Sequence, residues 1–288
     1  MKTISHLSGL LGDSVCAFPA IQTKAAEEKD GIALWMENKA VQELLSANPK
    51  IKLLTERPEK PDYVMEAGPV FNRFVYTHHM RQGYFSCLNL TIPTEVPPIE
   101  YQKKEKIAGI DFDILISPFS RSDHNHNKKW YDDRWYAVVR RLTEEGYRVL
   151  VVGGQEDANT DTAQVFLQAV HDTQGEDETQ VKGVYGSKLG ALMDLIERAK
   201  LCITLDNGIS HLVSAAKTPH LLLYPGCLPY PWVSNPNDVA HHIHDQPINI
   251  TVDRVLYELN HLLPKYVGEK QPHDVALSSG ETHEREST

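Results

Sequence analysis

The sequence contains no apolar run that approaches the roughly 20 residues of a membrane-spanning helix. Its first residues include one lysine and a short apolar stretch, but Asp13 interrupts that stretch and no small-residue cleavage site follows. We therefore predict a first strand there and not a signal peptide. A basic amphipathic helix that could dock on a membrane surface is also missing. With 41% hydrophobic and 24% charged residues, the composition is typical of a soluble globular protein.

Cysteine is scarce and its spacing is irregular. The chain has 4 cysteines and no C-x-x-C pair: Cys16, Cys87, Cys202 and Cys227. Cys16 and Cys202 lie inside apolar runs, where cysteine usually behaves as a small core residue, so we predict no disulfides and a reducing cytoplasm. Lysine and arginine are outnumbered by acidic residues, and the formal net charge is −10. This charge argues against a broad nucleic-acid-binding surface, although a local basic patch stays compatible with it.

Strand-like and helix-like segments alternate almost throughout the chain, which indicates an α/β protein with parallel sheets. We predict strands at "ISHL", "GIALWM", "KIKLL", "DYVMEA", "DILISPF", "YRVLVVGG", "GVYG", "LCITLD" and "HLLLYPG". We predict helices over 14–29, "AVQELLSA", 132–145, 161–171, "LGALMDLIERAK", "GISHLVSAA" and 252–263, while residues 70–90 show no clear pattern. The Pro- and Lys-rich stretch from Ile92 predicts a connection between two Rossmann-like lobes, residues 1–107 and 108–267, followed by a disordered tail at 268–288.

Polar residues follow the first predicted strand in the sequence "GLLGD", residues 9–13. The stretch has neither the later glycines of a dinucleotide fingerprint nor the lysine of a Walker A loop. Asp13 therefore has two open interpretations. It can cap the first helix, in which case helix N–H groups would lower the pKa of its carboxyl, or it can face a cleft as a general base that accepts a proton from a hydroxyl.

The loop "SPFSRSDHNHNKKWYDDRW", residues 117–135, gathers hydroxyls and cations behind a buried strand: Ser117, Ser120, Arg121, Ser122, Lys128 and Lys129. Such groups suit phosphate oxygens, although a solvated loop before a helix is an equal alternative. His124 and His126 have no carboxylate or cysteine at ligand spacing, so we interpret them as surface residues and predict no metal site.

Two further loops follow predicted strands. In "VVGGQED", Glu156 comes directly after a Gly-Gly turn, where carboxylates can hold ribose hydroxyls or simply favour the start of a helix. In "ITLDNGISHL", a buried strand ends at Asp206 and an Asn207–Gly208 turn opens a helix that carries His211. Asp206 could be a helix cap, but the exposed N–H groups at this helix start can also bind an anion.

Taken in order, these motifs resemble those of the heptosyltransferase-like glycosyltransferases of family 9. The family begins with a strand, a Gly-Asp turn, small and apolar residues and then Pro-Ala, and this chain has "GLLGDSVCAFPAI". The later family motifs are matched by "ISPFSR…NKKW", by "GGQE" and by "DNGISHL", which stands for D-[TS]-G-x-x-H-[LI]. The similarity covers most of residues 3–264.

The resemblance implies a fold and an activity. The fold is the GT-B arrangement, an α/β architecture in which two Rossmann-like lobes with parallel sheets face a central cleft. The activity is transfer of a sugar, with inversion, from a nucleotide-diphosphate sugar such as an ADP-heptose-like donor to an acceptor hydroxyl, without metal or cofactor. The first lobe would bind the acceptor and the second lobe the donor.

Residue roles carry over position by position. Asp13 matches the position proposed as general base, with Gly12 on the acceptor side. Ser120 and Lys128 match donor phosphate contacts and Glu156 a ribose or base contact, while the sugar and diphosphate contacts match Asp206, Asn207, Gly208 and His211. The chain departs from the family in three ways: Asn207 stands where Thr or Ser is usual, the loop before Lys128 is longer so that Lys129 could equally hold the phosphate, and the first lobe is shorter.

Several alternatives stay open at this stage. The acceptor could be a glycan, another hydroxyl compound or a modified base in DNA. The chain could instead be a nucleotide-sugar epimerase of similar two-lobe shape, or a non-catalytic module that binds a nucleotide sugar. Neither the sugar, the nucleobase nor the oligomeric state can be read from these residues.

Overall fold

Four short parallel strands form the first sheet of the computed structural model, which describes residues 1–45, 48–102, 106–120, 128–160, 163, 180–225 and 239–268. The strands are β1 (Lys2–His6), β2 (Ile32–Met36), β3 (Ile51–Leu53) and β4 (Tyr63–Met65), in the order β3-β2-β1-β4. Strand β1 pairs with β2 from Lys2–Ile32 to His6–Met36. The apolar sequence IALWM of β2 suits this position between two neighbours, because a parallel sheet is covered on both faces.

The helices of the first half follow these strands. They are α1 (Leu11–Glu27), α2 (Lys39–Leu44), α3 (Ala67–Phe74) and α4 (Met80–Gly83), with a 3-10 turn over Tyr84–Leu88. Helix α1 continues through Pro19 and buries most of its first ten residues. The last three elements occupy the stretch for which the sequence shows no clear pattern, because each is too short to establish a helical period.

Six parallel strands form the second sheet. They are β5 (Ile114–Ser117), β6 (Val149–Gly153), β7 (Val181–Tyr185), β8 (Leu201–Leu205), β9 (His220–Pro225) and β10 (Ala240–Asp245). The order is β10-β9-β8-β5-β6-β7, so β5 lies between β8 and β6. The chain thus reverses its direction of winding between β5 and β8, and in open α/β sheets ligands bind at the carboxyl ends of the strands at such a point.

The helices of the second half are α5 (Asp132–Glu144), α6 (Leu189–Arg198), α7 (Gly208–Ala216) and α8 (Val252–Leu262), with a 3-10 turn over Gln155–Asn159 and a π-helical turn over Leu263–Val267. Gly146, with φ of +83°, follows α5 at the position where glycine commonly ends a helix. The predicted helix at 161–171, apart from Ala163, and the tail beyond Gly268 lie outside the described residues. None of the helices within the described residues is long and apolar enough to cross a bilayer.

One hydrophobic cluster joins the two sheets. It contains Val15 and Phe18 of α1 together with Leu212 and Val213 of α7, all buried. A second cluster covers the opposite face of the second sheet, under α5 and α8. Because α1 and α7 each begin at the carboxyl end of a strand, their packing brings the carboxyl edges of both sheets to one place.

The stretch between the sheets has no helix or strand at its described residues, 91–102 and 106–113. It is anchored on α6: Arg198 donates hydrogen bonds to the carbonyl oxygens of Ile107 (2.8 Å) and Ile110, and Tyr101 donates to Glu197. The division into two lobes, with its boundary at residues 107 and 108, stays a prediction.

Candidate active site

The turn after β1 places Asp13 as the third residue of α1. Leu10 occupies the N-cap position and makes no side-chain capping bond, so Asp13 is not the helix cap. Its carboxylate instead accepts a hydrogen bond from the hydroxyl of Ser8 at 2.9 Å, and the Ser8 oxygen accepts one from the N–H of Leu10 at 3.2 Å. Asp13 is therefore held by the loop that precedes the helix.

Burial raises the pKa of the Asp13 carboxyl above that of an ordinary aspartate. The Ser8 hydrogen bond and the charge of Lys128 oppose this shift, whereas the charge of Asp206 adds to it. The outcome is opposite to the lowered pKa that a helix cap would have, because desolvation of the carboxylate outweighs its hydrogen bond. Asp13 consequently holds a proton more tightly than an exposed aspartate does.

The turn between β8 and α7 forms the second part of the site. Asn207 caps α7, since its side-chain oxygen accepts from the N–H of Ser210 at 2.9 Å. Its side-chain nitrogen donates to the hydroxyl of Ser117 (3.0 Å) and to the carbonyl of Phe119 (2.8 Å). Asn207 thus ties the loop after β5 to the start of α7, and both amide hydrogens are occupied by protein oxygens.

Lys128 and Asp206 form an ion pair at this turn. The distance from Lys128 Nζ to Asp206 Oδ2 is 2.7 Å, and the two side chains are 19% and 5% exposed. Lys129 is exposed and lines a cavity beside Ser120 and Trp130 instead. The two adjacent lysines therefore have different surroundings, and Lys128 is the one that lies beside Asp13.

The two turns touch each other. A methyl carbon added to Gly12 would lie 3.0 Å from Cδ2 and 3.4 Å from Nε2 of His211. A methyl carbon added to Gly208 would lie 2.7 Å from Cβ of Leu11. The charges of Lys128 and Asp206 also act on both Asp13 and His211. We call these four side chains the interlobe cluster.

The remaining two predicted residues lie elsewhere. Ser120 lines a cavity of about 590 Å³ together with Lys129, Asp157 and Thr160. The other lining residues come from three segments: Pro118, Phe119, Trp130, Tyr131, Asp132, Gln246, Pro247 and Ile248. Glu156 is exposed on the 3-10 turn after β6, and its neighbour Asp157 accepts from the N–H of Gly154 at 2.6 Å. Among the hydrogen bonds of the described residues, none joins Ser120 or Glu156 to the interlobe cluster.

Sequence reasoning missed three residues that support the cluster. Ser8 holds Asp13, and Arg81 donates from Nη2 to the carbonyl oxygen of His211 at 2.9 Å. Cys16 places its sulfur 3.3 Å from Nδ1 of His211. Arg81 lies in the stretch without a clear pattern, and Cys16 was interpreted only as a core residue, so no local signal pointed to either.

Gly208 offers a test of this close approach. We expect Gly208→Ala to destabilise the protein by about 1–3 kcal/mol and to lower activity, because the new methyl would overlap Leu11 and push α7 away from α1. Thermal unfolding and turnover of the variant would measure both effects. Gly68→Ala is the matched control, since a methyl there meets nothing within 4 Å. Equal behaviour of the two variants would contradict the tight contact.

Comparison with known proteins places the chain in a family. The model of "Glycosyltransferase family 9 (heptosyltransferase)" matches residues 94–241, just over half of the chain. The chain belongs to glycosyltransferase family 9. The match begins in the connection between the sheets and ends in β10, so it includes Lys128 and all of the β8–α7 turn.

Two curated relatives of this family 9 glycosyltransferase have the same name, lipopolysaccharide heptosyltransferase 2. The protein from Salmonella typhimurium is 27% identical over 223 residues, which cover 69% of this chain and 63% of the relative. The protein from Escherichia coli is 27% identical over 154 residues, which cover 47% of this chain and 43% of the relative. The aligned segments therefore span between about two fifths and two thirds of these relatives.

The solved structure of E. coli ADP-heptose lipopolysaccharide heptosyltransferase II has the same fold. Its TM-score is 0.71 at 19% identity, with 92% of this chain and 99% of that chain covered. This likeness confirms the predicted GT-B arrangement of the family 9 chain. Among the described residues no group of three His, Cys, Asp or Glu side chains could hold a metal ion, while His124 and His126 lie outside those residues.

Proposed function

We propose that this family 9 glycosyltransferase transfers a sugar, with inversion, from a nucleotide-diphosphate donor to an acceptor hydroxyl. Residues 1–107 would form the acceptor-binding lobe and residues 108–267 the donor-binding lobe. The proposal rests on one observation: a half-buried carboxylate of the first lobe, Asp13, interacts with the charge of Lys128 of the second lobe, where the start of α1 packs against Gly208.

Asp13 acts as the general base in this proposal. The acceptor oxygen attacks the anomeric carbon of the donor sugar while its proton passes to the Asp13 carboxylate. The bond from the anomeric carbon to the phosphate oxygen breaks, and the nucleoside diphosphate leaves with that electron pair. The raised pKa of Asp13 supports the role, because a carboxylate with a higher proton affinity is a stronger base.

The second lobe stabilises the leaving group. Lys128, held in place by Asp206, supplies a positive charge, and the N-terminus of α7 supplies backbone N–H donors at Gly208 and Ile209. His211, in the first turn of the same helix, faces Gly12 and can donate to a sugar or phosphate oxygen. Asn207 acts indirectly, because its amide is bonded to the loop after β5 and to Ser210.

The cavity beside Ser120 extends the donor site in this proposal. It lies at the carboxyl ends of β5, β6 and β10, and its volume of about 590 Å³ is in the range of small-molecule sites. Aromatic faces at Phe119 and Tyr131 and the carboxylate of Asp157 suit a nucleobase and ribose hydroxyls. The donor is of the ADP-heptose type, as in the name of the structurally similar enzyme.

A donor screen tests the proposal. We expect ADP-linked sugars to raise the melting temperature more than GDP-, UDP- or CDP-linked sugars, because a ligand that binds only the folded state stabilises it in proportion to its affinity. Incubation of the best donor with candidate acceptors, followed by NMR of the product, should show release of the nucleoside diphosphate and an inverted anomeric centre. Failure of every nucleotide sugar to bind, or a product with retained configuration, would contradict the proposal.

A further inference from the structure

Cys16 contacts His211 across the boundary between the two sheets. Its sulfur lies 3.3 Å from Nδ1 of the imidazole, and Cys16 itself is completely buried in the second turn of α1. Burial raises the pKa of the Cys16 thiol to about 12, so the sulfur carries its proton at neutral pH. The contact therefore joins a neutral thiol and an imidazole.

Arg81 favours one orientation of the S–H bond of Cys16. The Arg81 side chain, which is 4% exposed, donates to the carbonyl oxygen of His211 at 2.9 Å, and its guanidinium also interacts with the Cys16 sulfur. A guanidinium has only donors, so the lone pairs of the sulfur face Arg81. The S–H bond can then point at Nδ1 of His211, 3.3 Å away, and Nδ1 accepts it in that arrangement.

Burial also lowers the pKa of His211 to about 4, so the ring is neutral at pH 7 and has a single N–H. With Nδ1 accepting from Cys16, that proton is on Nε2. This nitrogen belongs to the ring edge that faces Gly12, and among the described residues it makes no hydrogen bond. The Nε2–H group thus lies beside Gly12, at the contact between α1 and α7, as a donor with no acceptor among the described residues.

We propose that Cys16, together with Arg81, is a positioning residue that holds His211 in the Nε2–H tautomer, ready to donate to an oxygen of the sugar-nucleotide donor. The role of that N–H toward the donor rests on the proposed function. The proposed tautomer does not, since it depends only on the contacts among Cys16, Arg81 and His211.

The tautomer can be measured without any ligand. In long-range proton–nitrogen correlation spectra of histidine-labelled protein at neutral pH, with the His211 signals assigned by their loss in His211→Gln, we expect a protonated Nε2 and a hydrogen-bonded, unprotonated Nδ1. In Cys16→Ala the Nδ1 signal should move to the position of an unbonded nitrogen. A protonated Nδ1 in the wild-type protein, or unchanged His211 signals in Cys16→Ala, would overturn the inference.

Donor binding supplies the second readout. We expect Cys16→Ala to weaken the affinity for the best donor about tenfold, the equivalent of one ordinary hydrogen bond, and Cys16→Ser to restore most of it because a hydroxyl can also donate to Nδ1. Circular dichroism establishes that both variants are folded. Loss of affinity in Cys16→Ala that Cys16→Ser does not restore would point to packing alone and overturn the proposed role. If the wild-type protein binds no nucleotide sugar, the proposed function fails, and the spectra still decide the tautomer.

Discussion

Replacing Asp13 by asparagine is expected to lower kcat by roughly 10²- to 10⁴-fold, the usual contribution of a general base, while the Kd for the donor stays nearly unchanged. An amide cannot take the acceptor proton, but its oxygen can still accept the hydrogen bond from Ser8 that now holds the carboxylate. Single-turnover kinetics and donor titration of the same preparation would measure the two quantities separately.

A second carboxylate near the same loop provides the control. Glu37 is exposed and lies close to Gly9, with its carboxyl carbon 3.9 Å from the position of a methyl on that glycine. Glu37→Gln removes one negative charge from the same region but should leave turnover close to that of the wild-type protein. If Asp13→Asn retained near-full activity, the assignment of the base would be wrong.

The raised pKa of Asp13 extends this prediction to pH. Because the base must be ionised, kcat/KM should fall as the pH is lowered through a pKa above that of an ordinary aspartate. The same shift means that the ionised carboxylate destabilises the fold at neutral pH, since the folded protein binds this proton more tightly than the unfolded chain. Asp13→Asn should therefore melt at a higher temperature than the wild-type protein at pH 7, and the difference should vanish below the pKa of the unfolded carboxyl.

Replacing Lys128 by methionine is expected to weaken donor binding by roughly 10- to 100-fold, which corresponds to the loss of one hydrogen bond to a charged group. The substitution also leaves Asp206 without its cation in a site where the carboxylate is 5% exposed. Breaking a fully buried pair costs about 3–5 kcal/mol, and we expect less here because Lys128 is 19% exposed. Isothermal titration and thermal unfolding would give the two effects.

Lys129 is the matched control for this experiment. It is adjacent in sequence and equal in charge, but it lines the cavity beside Ser120 and makes no described ion pair with Asp206. Lys129→Met should therefore change the affinity for the diphosphate less than Lys128→Met does. A larger loss of affinity in Lys129→Met than in Lys128→Met would show that the phosphate is held in the cavity beside Ser120.

The strands that carry the site could be predicted because their patterns are local. Strands β5 and β8 are mostly apolar and buried on both faces, and each is followed by a polar turn. Strand β10 was missed, because its sequence AHHIHD contains a single fully buried apolar residue, Ile243, and gains its place by pairing with β9 at the edge of the sheet. Without β10, the contribution of Gln246, Pro247 and Ile248 to the cavity could not be foreseen.

The interlobe cluster was only partly predictable. Motif spacing led to Asp13, Asp206 and His211, but it could not choose between Lys128 and Lys129, because adjacent residues in a loop point in different directions only after the loop has folded. Asn207 was expected to contact phosphate, and its amide proved to be occupied by Ser117 and Phe119. Its role toward the donor stays a prediction.

The alternation of strand-like and helix-like segments was enough to predict that this chain forms parallel sheets. It also predicted that the polar side chains of the site follow the strand ends. Both predictions depend on residues that are near one another in sequence. Only the tertiary structure decided which strand ends meet. The packing of α1 on α7 through Leu11, Gly12 and Gly208 brings Asp13 to Lys128 and Cys16 to His211. Those contacts join residues far apart in the chain, and burial at the same interface, not the helix start, sets the pKa of Asp13.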